Sequence, residues 1–450
     1  MPKRLQSALS KRLLASYSGV SAPLAAMTMP IAVYLPPFYG ESMGLSLTTV
    51  GLIFTLARIW DVVTDPVMGA IIDRFDTRWG RRKHWIAIAL PLLMVSVWMV
   101  FMPNPDRVSP AYLGFWLLLL YVGYTMMTIA HQSWGAELTT TYDDRSRLYG
   151  WRELFVIGGM TLVLAIPAAV ELLGSSETAL KVASMGWFCL ILFPLTALAT
   201  LVFVPDARSV ANMAIDWKEA AKVMLANRTL WRLLLTDLTT GFASTASGVL
   251  YIFFATYVFE LPEHASIALL FYFLASFAAM PAWLKIAYRL GKDRTIKIAL
   301  LYGVTIKVGL YFVAEPGNVA LLWGYTLIYG VAFGAAPALL RSMMADLTDE
   351  DALRTGKQRA GLFFALLTTT NKLGSAIAVG TVLTLIERLF GFTPGADNSP
   401  AAIEGLFITY CAAPFLALGV AYLPLIRYPL SRERHAEIRA QLARLEAQSG

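Results

Sequence analysis

Charge is what this sequence has least of. Of its 450 residues, 15% are Asp, Glu, Lys or Arg and 57% are hydrophobic, whereas a soluble domain is about a quarter charged. That balance excludes an ordinary soluble globular protein and points to a chain that crosses a membrane many times. Cysteine is nearly missing too. Cys189 and Cys411 are the only two, and both fall in apolar runs, so they read as buried small hydrophobes. No nucleophile–base set, metal-ligand cluster or phosphate-binding loop is present, which argues against an enzyme and against any cofactor. A cleavable signal-peptide pattern is also missing. The basic start, with Lys3, Arg4, Lys11 and Arg12, leads into a full-length apolar span instead.

What is present is a series of apolar runs of about 20 residues or more, long enough to cross a hydrocarbon core. Twelve spans are expected: 17–40, 46–73, 84–102, 110–140, 149–172, 183–205, 230–259, 265–289, 294–314, 318–346, 357–389 and 402–427. The expected fold class is an all-α polytopic membrane protein of twelve transmembrane helices. Lys and Arg gather in alternate loops: the N-terminus, 74–83, 145–152, 208–232, 285–297, 341–359 and 427–444. The intervening loops hold few, chiefly Arg107 and Lys181. This is the positive-inside pattern, which predicts that both termini are cytoplasmic. It also accounts for the net charge of +7 without a nucleic-acid partner. A monomer in the inner (plasma) membrane, surrounded by lipid, is expected.

The widest polar interruption, 206–229, divides the spans six and six. An N-terminal half over 1–205, a cytoplasmic linker over 206–229 with a short amphipathic helix, and a C-terminal half over 230–427 follow. Residues 428–450 form a cytoplasmic tail helix. The loop "DRFDTRWGRRK" after span two has a weaker echo, "RLGKDR", after span eight. Paired six-helix halves with a midplane site are the architecture of many secondary transporters.

Against this apolar background the charges within spans stand out. Asp61 and Asp65 lie near the centre of span two, and their four-residue spacing stacks them on one helix face. Carboxylates facing lipid are costly, so such residues face the protein interior and mark an ion or proton path. A close pair suits a small hard cation or a shared proton; a pair buried purely for packing is the alternative. Lys372, in "ALLTTTNKLGSAIAVG", lies near the middle of span eleven. It is expected to find a carboxylate across the halves, with Asp61 and Asp65 as partners, and to link ion occupancy to closure. In span four, His131, Gln132 and Trp134 are candidates to line a cavity, with the Trp134 ring offered to a sugar face. Core packing remains the competing explanation for each. Asp143, Asp144, Arg145, Arg147 and Arg152 sit at the cytoplasmic end of that span and read as braces between helices.

Several of these stretches resemble known patterns. Gly69, Asp73, Arg74, Gly80, Arg81 and Arg82 resemble the loop signature of the major facilitator superfamily, which implies a salt-bridge network on the cytoplasmic side. "RIWDVVTDP" with its following G-x-x-x-DR, "AELTTTYDDRSRL", and "ADLTDEDALRTGKQRAGLFFALLTTTNKLG" together resemble the glycoside–pentoside–hexuronide:cation symporters, the melibiose-permease-like family. The resemblance implies the major facilitator fold and cation-coupled uptake of a small organic solute by alternating access. It implies that Asp61 and Asp65 form the coupling-cation site, for Na+ in preference to H+, with Thr64 contributing. Thr128 stands one place after Met127, where the family has a threonine that helps to hold sodium. It further implies that Lys372 is the family's span-eleven lysine, that Trp134 stacks on solute, and that Thr368, with Asn371 in the same stretch, borders the solute site. Asp73, Arg74, Arg81, Arg145 and Arg147 would form the cytoplasmic gate.

The departures concern the solute. Span one, from Ser16 to Gly40, holds no Asp, Glu, Lys, Arg or His. Ala25 and Ala130 stand about where the family's sugar-binding aspartates fall. Three functions therefore stay open: a symporter of a sugar, glycoside or related polar metabolite; a cation-coupled lysolipid transporter; and a non-transporting membrane protein on the same fold.

Overall fold

A chain segment in hydrocarbon must satisfy its own backbone N–H and C=O groups, and helices do this within one segment. The computed structural model, which describes residues 9–75, 77, 80–138, 142–205, 227–355 and 360–449, is helical throughout. Its only extended pairing among the described residues is an isolated bridge between Thr77 and Gly80. Twelve helices are long and apolar enough to span a bilayer. They are α1 (Lys11–Ser42), α2 (Leu47–Gly69), α3 (Lys83–Phe101), α4 (Pro110–Gly135), α5 (Trp151–Leu172) and α6 (Thr178–Phe203). After these come α7 (Arg228–Val258), α8 (Pro262–Leu290), α9 (Lys292–Val313), α10 (Val319–Arg354), α11 (Leu362–Leu389) and α12 (Pro400–Leu425). The chain is a multi-pass membrane protein. Each expected span has its helix, and the largest differences are at α1, which begins earlier, and α10, which runs further.

Local chemistry sets several starts. Ser10, Ser46, Asn318 and Ser399 accept from the backbone N–H three residues on, at 3.2, 3.2, 3.0 and 3.2 Å, which satisfies one of the donors that a helix N-terminus leaves over. A thirteenth helix, α13 (Arg432–Ser449), follows α12 and packs on α10. There His435 meets Asp349 at 3.0 Å and Lys292 meets Asp346 at 2.6 Å. Just before α13, Tyr428 is half-buried. Desolvation, and next the charge of Asp346, push its phenol above its usual range, so it stays neutral at physiological pH. Residues 206–226 of the expected linker lie outside the described residues.

The chain divides into two compact units. The first comprises Met1–Ala214 with the short segments Pro262–Leu270 and Thr393–Asp397; the second comprises Ile215–Leu261, Phe271–Phe392 and Asn398–Gly450. Within the first, α4 packs on α2 and α3, and α1 packs on α5. Within the second, α7 packs on α11 and α12, and α9 on α12. The α7–α11 contact is unusually close. A Cβ on Gly374 would collide with the Leu238 carbonyl, and one on Gly241 would lie 2.9 Å from the Asn371 carbonyl. Two glycines thus let the backbones meet.

On α2 the sequence sorts its faces. At about 100° per residue, Leu52, Leu56, Val63 and Val67 fall on one side, and all four are exposed. Asp61 and Asp65 fall on the opposite side. The apolar stripe faces hydrocarbon, and the carboxylates face protein.

Candidate functional site

The two aspartates of α2 meet α4 through a residue the sequence reading passed over. The Thr125 hydroxyl lies 2.8 Å from Asp61 Oδ1 and 3.0 Å from Asp65 Oδ1. Asp61 is fully buried and Asp65 half-buried. A hydroxyl carries one hydrogen and two lone pairs, so Thr125 can donate to one carboxylate at a time and presents oxygen to the other. Three oxygens thereby converge in a low-dielectric setting, an arrangement that suits a hard cation or a proton. Arg58, one turn before Asp61, reaches its Oδ2 at 3.7 Å and lies over the Tyr121 ring at 5.5 Å. Its place in "RIWD", three residues ahead of Asp61, was the available signal. Thr125 offered less, because the register of α4 against α2 is a tertiary fact.

The two hydroxyls expected here are placed differently. Thr64 turns back to the Asp61 carbonyl at 3.3 Å, as threonines in helices commonly do. The Thr128 hydroxyl is buried with no hydrogen-bond partner among the described residues. Three positions along α4 from Thr125, it does not join the carboxylates.

Further along α4, two of the three cavity candidates are packed away. The His131 ring stacks on Tyr17 at 4.2 Å, and its Nε2 donates to the Tyr17 carbonyl at 2.7 Å. The Tyr17 hydroxyl donates back to the His131 carbonyl at 2.8 Å. Gly135, one turn on, makes room for that tyrosine. Trp134 is fully buried, and its indole N–H donates to the Pro205 carbonyl at 3.1 Å. The expected open ring face for solute is therefore not what this structure presents. Packing between α1, α4 and the end of α6 explains both residues. Gln132 is exposed.

At the loop after α2, Arg82 is fully buried and donates to the Ile72 carbonyl at 3.3 Å, while Arg81 is half-buried. Asp73 and Arg74 end the helix that begins at Leu47, and Arg145 and Arg147 lie in the helix that begins at Tyr142. The side chains of these four lie outside the described residues.

The second unit holds a cavity of about 400 Å³, within the range of roughly 300–1,000 Å³ usual for small-molecule sites. Its charged lining residues are Asp237 from α7, Arg341 from α10 and Lys372 from α11, and Thr368 and Asn371 border it too. Asp237, unforeseen from sequence, is buried. It accepts from the Thr370 hydroxyl at 3.2 Å and from Asn371 Nδ2 at 3.3 Å. The Thr368 hydroxyl donates to the Phe364 carbonyl at 3.0 Å. A single aspartate amid "RLLLTDLTTGFAS" was the available signal.

Two more buried charges escaped the sequence reading. Glu171 takes Lys181 at 2.5 Å and the backbone N–H groups of Ser266 and Ile267 at 2.9 and 3.1 Å, so this ion pair is well satisfied. Lys307 is fully buried, with its ammonium 3.5 Å from the Tyr410 ring centre and 4.6 Å from that of Tyr329. Among the described residues no carboxylate pairs with it; the aromatic faces attract the ammonium through their quadrupoles, and it donates to the Tyr410 carbonyl at 3.3 Å. No group of three or more His, Cys, Asp or Glu that could hold a metal ion occurs among the described residues.

The family model described as MFS/sugar transport protein matches residues 16–432. The isoprimeverose transporter of Lactiplantibacillus pentosus is 24% identical over 89% of this chain and 85% of its own length. The sodium-dependent lysophosphatidylcholine symporter 1 of Xenopus tropicalis is 23% identical over 90% of this chain and 82% of its own. In fold, the crystal structure of the nucleoside transporter NupG is similar, with a TM-score of 0.67 and 14% identity over 94% of this chain and all of that one.

Proposed function

Because the chain belongs to the MFS/sugar transport protein family, a family of transporters and not of enzymes, we propose that it is a cation-coupled symporter of a sugar, glycoside or related polar metabolite. The observation that carries this reading is the cluster of Asp61, Asp65 and Thr125 oxygens, buried within a membrane span. Buried carboxylates there are costly unless they hold a cation or proton. The proposed coupling ion is Na+, bound by the Asp61 and Asp65 carboxylates and the Thr125 oxygen. Lys372 is proposed as the group that links ion occupancy to closure. Cation and solute together favour the closed state, and alternating access completes the cycle.

For the solute, the second unit's cavity offers the polar groups of Thr240, Ser244, Thr245 and Asn371 among apolar residues such as Leu300 and Phe333, a lining that suits the hydroxyls and apolar faces of a sugar or glycoside. The proposed setting is the plasma membrane with both termini cytoplasmic, as the distribution of Lys and Arg suggests.

The test is uptake into proteoliposomes holding the purified full chain, screened with labelled sugars and glycosides. An inward Na+ gradient at equal pH on both sides should drive accumulation, and Asp61→Asn should abolish it. Accumulation that ignores Na+ and follows a pH gradient would replace the ion with a proton. Accumulation of lysophosphatidylcholine but of no sugar would overturn the solute class.

A further inference from the structure

Among the described residues that line the second unit's cavity, Asp237 is the one carboxylate. An ionised carboxylate only accepts, with about four lone-pair sites on its two oxygens. The Thr370 hydroxyl and Asn371 Nδ2 use part of that capacity, one on each oxygen, at 3.2 and 3.3 Å. Arg341 of α10 lines the same cavity and attracts Asp237 by charge. The main chain holds the group in place as well. Gly241 stands one turn beyond Asp237 and Gly374 one turn beyond Asn371, so the close approach of α7 and α11 keeps acceptor and donor in register. A side chain fixed in this way is preorganised, and a ligand spends little of its binding on ordering it. The lone pairs that remain suit a ligand that brings hydrogens. Two oxygens on one carbon match two hydroxyls on neighbouring ring carbons, which can donate together as charge-assisted hydrogen bonds. Sugars carry such pairs beside apolar C–H faces, and Tyr272, Leu300 and Phe333 give the cavity apolar surface.

We propose that Asp237 is the specificity-determining residue for the solute, accepting hydrogen bonds from two hydroxyls on adjacent ring carbons, with Thr370 and Asn371 as its positioning residues. This rests on the symport reading above and names the group of the protein that selects among solutes. A buried acceptor left without its hydrogens is costly, so a sugar that lacks either hydroxyl is rejected much more strongly than one altered elsewhere. The role is separate from that of Asp61 and Asp65, because no second carboxylate stands beside Asp237 among the described lining residues.

The experiment is calorimetry on the detergent-purified full chain in NaCl, screening the methyl glycosides of glucose, galactose, mannose and xylose in both anomers. The tightest binder is then replaced in turn by its 2-, 3- and 4-deoxy forms. Two adjacent positions should each cost about tenfold or more in affinity, the scale of a hydrogen bond to a charged group. In Asp237→Asn, which loses the charge and one acceptor oxygen, one or both of those penalties should fall to about threefold or less. A Na+-dependent thermal shift retained by that variant shows that it is folded and that its cation site is whole. Asp237→Glu, which keeps the charge but displaces it by one methylene, gives the same reading should the amide variant not fold. Penalties of equal size in wild type and variant, penalties at no adjacent pair, or no glycoside bound would each overturn the proposal. So would loss of the Na+-dependent shift from Asp237→Asn with its helical circular dichroism intact, which would make Asp237 a cation ligand. Na+-driven uptake of the same glycoside in proteoliposomes keeps the two readings apart. Uptake by the wild type with penalties unmoved in Asp237→Asn ends the assignment of Asp237 and leaves symport standing, whereas no cation-driven uptake by the wild type ends the symport reading.

Discussion

Asp61 with Asp65 in the first unit and Asp237 in the second are all carboxylates within spanning helices, but their surroundings differ in kind. The first two converge on one hydroxyl, with the Arg58 guanidinium 3.7 Å from Asp61. Asp237 stands alone and takes hydrogen bonds from two separate neutral side chains. Two carboxylates that meet at one oxygen suit a mobile cation, whereas a lone carboxylate held by two neutral side chains is a charge that shapes what enters beside it. The lesson is that a buried carboxylate is interpreted by whether a second carboxylate shares its neighbour.

The largest expected effect breaks the comparison at its strong end. Asp61→Asn or Asp65→Asn should lower cation-driven accumulation by about 100-fold or more, which corresponds to roughly 3 kcal/mol. Asp237→Asn should leave the dependence on the cation gradient in place. Uptake assays on all three variants at matched expression check this, and equal collapse in all three would erase the distinction. Next comes Thr125→Val, isosteric but without the hydroxyl. It should weaken cation affinity about tenfold, the scale of one hydrogen bond to a charged group, in ion-dependent thermal-shift titrations.

Smaller effects sharpen the contrast. Thr370→Val removes one of two donors to Asp237 and should shift solute affinity about threefold with cation affinity unchanged; calorimetry with each ligand separates the two. Trp134→Phe should cost about 1 kcal/mol of stability through the lost bond to Pro205 and leave solute affinity as it was. A large affinity loss would restore the stacking role. Smallest is Thr64→Val, because that hydroxyl already serves its own helix. A change in cation affinity beyond about threefold would show that Thr64 reaches the ion after all.

Much of the fold was legible because a bilayer imposes a length and a composition on every span. The faces of α2 could also be read, since its apolar and acidic residues follow the helical period. What could not be read was inter-helix register. Thr125 and Thr128 look alike in sequence, and only the placement of α4 against α2 decides which one meets the aspartates. The packing of His131 and Trp134 could not be read for the same reason, since nothing local announces Tyr17 or Pro205 as neighbours. Asp237 and Lys307 were passed over for a different reason. A single charge in an apolar run carries no spacing, and its meaning comes wholly from what surrounds it.

The contact between α7 and α11 has a consequence for anyone who would redesign this protein. Gly241 and Gly374 bring main chain against main chain, so that wall of the cavity has no spare side-chain volume to exchange. Libraries aimed at a new cargo will return few survivors there, since any added methyl pries the helices apart and moves Asn371 off Asp237. Variation is better spent on Arg341 and Ser244, exposed residues that line the cavity.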